Sequence, residues 1–352
     1  MTDTYAYTLR GHLTAQSPIS VNYIGLDGAL PSTPHGQVFL NGGTLRGPLR
    51  KSALNVVLRE TAKDTGMPLS QMYMLGQGVD TTREVNTEDT GKSHDPMAEK
   101  RLRELNPLLN LMGRWKLAGR LEVQPLLTPA TNVVTAGQGV RHDQFERDPE
   151  LVDWLDDAER DRLLQTLASS RASMDDIKVV REQVNELKKA YRKAADDPDD
   201  RKRISQQLAD LDAREKAIKE AREGGTESLK HPLAGHESIA PGSELSCTLR
   251  INGGNAVDLG LLLHSLADFS ITPHLGGHRA GGFGAVSGQW TVYRRASGEL
   301  KAEPIGEVTL DDLGFQMEGE SLTEAWDAFV AALPDMDLSV YLLSQARQRQ
   351  EA

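Results

Sequence analysis

LNGGTLRGPLRKSALNVVLRETA, residues 40–62, sets a glycine turn, a group of cations and an amphipathic helix in immediate succession. Gly42 and Gly43 permit a tight turn and a close backbone approach to a ligand. Asn41 and Thr44 flank that turn, with Thr44 the expected N-cap, and Leu45, Leu49, Leu54, Val57 and Leu58 supply a buried helical stripe. Free N–H groups at a helix start favour an anion, and Arg46, Arg50 and Lys51 fall on the first two turns, so the stretch predicts a phosphate subsite. The same residues also read as a surface helix whose arginines keep its outer face soluble. What favours the functional reading is a second glycine-rich turn far downstream, HLGGHRAGGFGAVSG at 274–288, again mixed with cationic side chains.

The totals bound the class. A chain of 352 residues with 38% hydrophobic content can bury a substantial core, and its longest apolar runs, such as 259–263, are too short to span a bilayer. MTDTYAYTLRG at the start lacks a basic-then-apolar signal pattern, which places the chain in the cytoplasm with no membrane partner. One cysteine, Cys247, excludes an intramolecular disulfide framework and a multi-cysteine metal site. It lies in an alternating strand-like run and reads as a buried, inert thiol. No cofactor or metal is called for. The net charge of −11 argues against a surface that grips nucleic acid everywhere, but leaves room for one basic track.

Alternation predicts a strand over 5–13, and a Gly/Pro/Ser-rich loop over 24–39 leads to the glycine turn. Residues 66–92 read as a long excursion, 96–105 as a short helix with a basic face, and 119–127 as a strand. TPATNVVTAGQGVRHDQFERD at 128–148 reads as a projecting hairpin or loop, with a plain linker as its alternative. From 149 to 224 the composition turns to Glu, Lys, Arg, Ala, Leu and Gln with three- and four-residue apolar spacing. DDPDD at 196–200 splits it into an antiparallel helical hairpin, and Leu151, Leu155, Leu163, Leu164 and Leu167 predict a separate helix before it. Strand signals return over 236–251 around Pro241 and Gly242, a leucine-rich helix follows over 257–269 with Asp258 near its start, and a strand over 286–294. Short extended pieces over 301–319 and helices over 321–333 and 338–349 close the chain. This order predicts an α+β sheet of ferredoxin-like type split by a helical insertion. The expected parts are 1–127 (with the excursion at about 66–110), 128–148, 149–228 and 229–352.

In this order the motifs resemble the RAMP superfamily of class 1 CRISPR systems. LNGGTLRGPLR is similar to its glycine turn and basic first helix, LNLMGRWKLAGRLEV to its segment before a core strand, ESIAPGSELSCTLRI to the stretch opening its second half, and HLGGHRAGGFGAV to its C-terminal glycine loop. Within that superfamily the chain looks most like the seven-type backbone subunit, in its type IV version. The resemblance implies an RRM-like core with a thumb-like projection, which polymerises as a helical filament along guide RNA (crRNA). It implies as partners copies of itself, other effector subunits and a target nucleic acid paired to the guide, in a ribonucleoprotein complex of antiviral or plasmid defence. Carried over, Asn41, Gly42, Gly43, Thr44, Arg46, Arg50 and, more weakly, Lys51 would hold the guide backbone. His274, Gly276, Gly277, His278 and Arg279 would oppose them, and Thr135, Gln138, Arg141 and His142 would lie on the thumb. The helical insertion departs from the family pattern.

No catalytic residue is assigned, and the chain is expected not to be an enzyme. Two other readings stay open. One is an endoribonuclease, cutting target RNA with Asp27 of GLDG or processing guide RNA with histidines such as His142, His274 and His278. In the other, the chain is a coiled-coil scaffold without RNA.

Overall fold

A computed structural model describes residues 4–61, 66–79, 95–137, 139–141, 149–193, 198–220, 231–233 and 235–351. Strict alternation makes Tyr5–Ala15 the first strand, β1: Tyr7, Leu9, Leu13 and Ala15 are buried, while the intervening Arg10 is exposed. After β2 (Gln37–Leu40) comes α1 (Gly43–Thr61), which buries Leu45, Leu49, Ala53, Leu54 and Val57, each leucine contributing about 2 kcal/mol of apolar burial.

The expected excursion after α1 contains a helix, α2 (Leu69–Gln77), stopped by Gly78 at φ 71°; residues 80–94 lie outside the described part. α3 (Pro96–Leu105) and α4 (Pro107–Met112) follow, α3 capped by the Asp95 carboxylate and α4 by the Asn106 side chain. The single strand expected over 119–127 is two, β3 (Leu121–Val123) and β4 (Leu126–Pro129), because Pro125 has no N–H to donate between them. β5 is Val133–Ala136 and β6 is Gly139–Arg141.

The expected separate helix over 151–167 is not formed. Asp156 accepts from the Glu159 N–H and starts a helix there, and with no Gly or Pro before residue 194 it runs on as α5, Asp157–Lys193. α6 (Pro198–Glu220) begins on Pro198, a favoured first helical residue. α5 and α6 bury Val180, Val184 and Ile204, and Arg181 donates to Glu215 at 3.2 Å. β7 is His231–Leu233, paired with β6.

β8 (His236–Ile239) pairs antiparallel with β5, and β9 (Glu244–Gly254) lies beside β1. α7 (Ala256–Ser270) opens on a reciprocal cap between Asn255 and Asp258. Asp258 is buried, which raises its pKa, while hydrogen bonds from the Asn255 N–H and the Asn110 amide oppose the shift. β10 (Val286–Ala296), β11 (Glu303–Asp311), β12 (Gly314–Glu318), α8 (Glu320–Ala332) and α9 (Leu343–Glu351) complete the chain. The last helix starts five residues later than the pattern predicts.

The fold is α+β. Eight strands form one sheet in the order β12-β11-β10-β1-β9-β4-β2, with β3 also on β9, and all its pairings are antiparallel. α1, α7 and α8 share one apolar core with the strands, and Asp268 of α7 holds Asn55 and Arg59 of α1. Cys247 is fully buried there, and burial pushes its thiol up to about 12. The chain divides into one compact unit up to Gly137 and from Gly235 onward, and a second from Gln138 to Ala234. No helix among the described residues is long and apolar enough to cross a membrane.

Candidate functional site

The first glycine turn is organised by Asn41. Its N–H donates to the Tyr23 hydroxyl at 2.8 Å, its side-chain oxygen accepts from Gly43 N–H at 3.2 Å, and its carbonyl accepts from Thr44 N–H at 2.8 Å. The Gly42 carbonyl accepts from Leu45 and Arg46. Two expectations change. Thr44 sits inside the first turn rather than capping it, and the leading N–H groups are bonded within the chain rather than presented to an anion. The cause is the asparagine side chain, which reaches the backbone two residues on.

The two glycines also differ. A Cβ on buried Gly42 would stand 2.0 Å from the Val123 carbonyl oxygen, so this glycine serves the chain's own packing. Gly43 is exposed, with nothing nearer than 3.8 Å to a Cβ, and Gly47 on the next turn has open space.

Arg50 departs most from expectation. It is only 9% exposed, and its guanidinium donates to the carbonyls of Met74 and Leu75 near the end of α2 and of Met112 at the end of α4. Burial, with Arg46 close by, lowers its pKa to about 10. It therefore clamps two helix C-termini to α1, committing three of its five N–H donors to main-chain carbonyls in the interior. Arg46, a turn earlier, shares Met112 through one nitrogen at 2.6 Å and is only half-buried; Lys51 is exposed.

Beside α1 is a hollow of about 600 Å³, lined by Arg46, Gly78, Arg114, Trp115 and Lys116 among others, and by no carboxylate among the described residues. Its outer wall is a tight turn in which Arg114 and Leu117 exchange both backbone hydrogen bonds, Lys116 at φ 64°, so that Trp115 projects 67% exposed. Trp115 is the residue the sequence reading missed. A lone tryptophan reads as core, yet its place between Arg114 and Lys116, inside a segment bracketed by Gly113 and Gly119, is the signal of a cationic turn.

The second glycine loop is held by the loop that follows β1. Gly277 N–H donates to the Ser20 carbonyl at 2.9 Å and Gly284 N–H to the Pro18 carbonyl, and a Cβ on Gly276 (φ 75°) would stand 2.1 Å from the Ser20 oxygen. Gly277 has open space around it. Arg279 is exposed but folds its guanidinium onto the carbonyls of His274 and Gly276, at 3.2 and 3.4 Å. His278, at φ 56°, stacks on His236 with ring centroids 4.8 Å apart, and Phe283 lies against both. His236 was also missed, because it reaches this loop through tertiary pairing: β8 bridges to Ile19 through Ile239, and the adjacent Ser20 carbonyl holds Gly277; a Cβ on Gly137 would meet its ring.

Ser20 and Tyr23 bind the second and first turn respectively, and three residues span at most about 11 Å of chain. One loop thus fastens both turns. Of the residues expected on a thumb, Thr135 is exposed on β5 opposite Glu237; Arg141 ends β6, paired through its backbone with His231; Gln138 and His142 lie outside the described residues. Asp27 and Gly28 have φ of 44° and 84° between Leu26 and an Ala29 N–H that donates back to it, the pattern of a type I′ turn.

No protein-family model and no curated protein matches the chain. A solved chain described as "Type IV-B CRISPR Complex" is similar to it. The identity is 13%, the match covers 85% of this chain and 94% of that one, and the TM-score is 0.38.

Proposed function

We propose that the chain is an RNA-binding backbone subunit of a CRISPR ribonucleoprotein, laid repeatedly along a guide RNA that it holds by its phosphates and presents for pairing. The observation that carries this is the hollow of Arg46, Arg114 and Lys116, with no carboxylate among the described residues that line it and Trp115 projecting beside it, tied by the 18–30 loop to the second glycine turn. Cations along a backbone track with an aromatic platform are what sequence-tolerant single-strand binding requires. The central strands β10-β1-β9-β3, with α1 after the first and α7 after the third in sequence, fit a ferredoxin-like core and support the RRM-like reading.

The structure changes which variant tests the idea. Arg50→Ala would confound binding with folding, so the test is Arg46→Ala with Lys51→Ala. The wild-type protein should elute from size exclusion as a large particle with nucleic-acid absorbance at 260 nm. The double variant should stay folded, lose at least ten-fold in affinity for single-stranded RNA, and show a salt slope shallower by about 1.4. Wild-type affinity in the double variant would remove the proposal.

One observation favours the ribonuclease reading: His236, whose ring stacks on that of His278, has its Cβ beside Gly28 of the Asp27 turn. On that reading, discrete RNA products vanish in His278→Ala while binding persists.

A further inference from the structure

The glycine turns leave unexplained the sheet face turned away from the apolar core. On β1 the residues between the buried ones are Ala6, Thr8, Arg10, His12 and Thr14. Antiparallel register sets Arg250 of β9 and Tyr293 of β10 on either side of Thr8, Thr248 and Thr291 beside Arg10, and Arg295 beside Ala6. A hollow of about 420 Å³ opens there, lined by Thr8, Arg10, Arg250, Asn252, Tyr293 and Arg295. Arg10, Asn252 and Arg295 are exposed, and none of the three arginines has a hydrogen-bond or ion-pair partner among the described residues.

This is unusual for so acidic a chain. The other arginine of the eight-stranded sheet, Arg294, is paired with Glu303 and laid over Tyr5. Glu122 stands opposite Arg250 in register and Glu307 opposite Thr291, at the margins of the face, yet neither forms an ion pair with the three arginines. Like charges gathered without ion-paired partners repel one another, which is tolerated where an anionic ligand completes the set. Tyr293 at the centre of the row supplies a flat apolar ring among them.

We infer that this face is a second site for single-stranded RNA, with Arg10, Arg250 and Arg295 meeting phosphates and Tyr293 stacking on a base. It is separate from the glycine turns: Thr8 and the Ala15 end of β1, where the loop to both turns begins, are about 23 Å apart along the strand. The site stands on its own residues, whether or not the turns hold a guide.

The test uses the full chain and a fluorescein-labelled mixed-sequence 12-nucleotide RNA, read by anisotropy across a potassium chloride series. Arg10→Gln with Arg250→Gln and Arg295→Gln should weaken binding at least ten-fold and make the salt slope shallower by about 2, from three contacts. Tyr293→Ala should weaken it about five-fold and Tyr293→Phe should restore it. RNA carrying 4-thiouridine should crosslink to the peptide holding Tyr293 in the wild type. Unchanged affinity and slope in the triple variant with a native circular dichroism spectrum, or no crosslink at Tyr293, overturns the inference. So does displacement of the RNA by polyglutamate at equal charge, which marks the face as one for an acidic protein segment. Loss of binding in Arg46→Ala/Lys51→Ala alone, with the triple variant intact, sinks this site and leaves the turns standing; the reverse result sinks the turns and keeps this site.

Discussion

The two glycine turns, at 41–44 and at 274–284, are built on one plan and stabilised differently. In each, one glycine lies against the protein's own backbone, Gly42 on the Val123 carbonyl and Gly276 on the Ser20 carbonyl, while its neighbour, Gly43 or Gly277, faces open space. In each an arginine folds back on carbonyls, Arg46 on Met112 and Arg279 on His274 and Gly276. The first turn, however, runs straight into a helix sunk in the core, whereas the second is exposed from Gly277 to Gly282 and is tied through main-chain bonds to the loop beneath it. A glycine pair therefore carries two separate instructions, one for folding and one for what the surface admits.

Alanine substitution separates these instructions, and the largest effects should come from the inner glycines. Gly42→Ala and Gly276→Ala each force a Cβ against a main-chain oxygen and should cost roughly 4 kcal/mol in urea unfolding, or prevent folding. A loss below about 1 kcal/mol at either position would show that its backbone yields easily and would break the parallel. Next comes Arg50→Ala, which strands the carbonyls of Met74, Leu75 and Met112 and should cost roughly 3 kcal/mol, against about 1 kcal/mol for Arg46→Ala in the same assay. Equal losses would mean that Arg46 is as structural as Arg50. Smallest in stability are Gly43→Ala and Gly277→Ala, within about 1 kcal/mol of wild type and leaning towards a gain, since alanine restricts the unfolded chain. If RNA lies against the outer glycines, these same variants should lose about ten-fold in RNA affinity by anisotropy. Unchanged affinity in both would confine the ligand to the side chains.

The sequence made the elements more legible than the site. β1 and β10 are readable because their buried positions alternate, and α1 and α7 because their leucines cluster between turn residues. α2 was hidden by the glycines around it, Gly66, Gly76 and Gly78, which suggest loop although only Gly78 ends the helix. Arg46 and Arg50 look equivalent on paper. Only the arrival of the α2 and α4 carbonyls, brought by tertiary packing, assigns Arg50 to the interior. His236 and His278 are 42 positions apart and meet because β8 and the glycine loop are both bonded to the loop after β1, at Ile19 and Ser20, a long-range event that leaves no local trace.

The short run from Ser20 to Tyr23 has a mechanical consequence. Because it grips one turn through a carbonyl and the other through a phenol, the gap between the turns is gauged by covalent chain rather than by side chains that can repack. Lengthening it by a residue or two would leave both turns intact yet detune their spacing, as a caliper reset to the wrong width still has sound jaws.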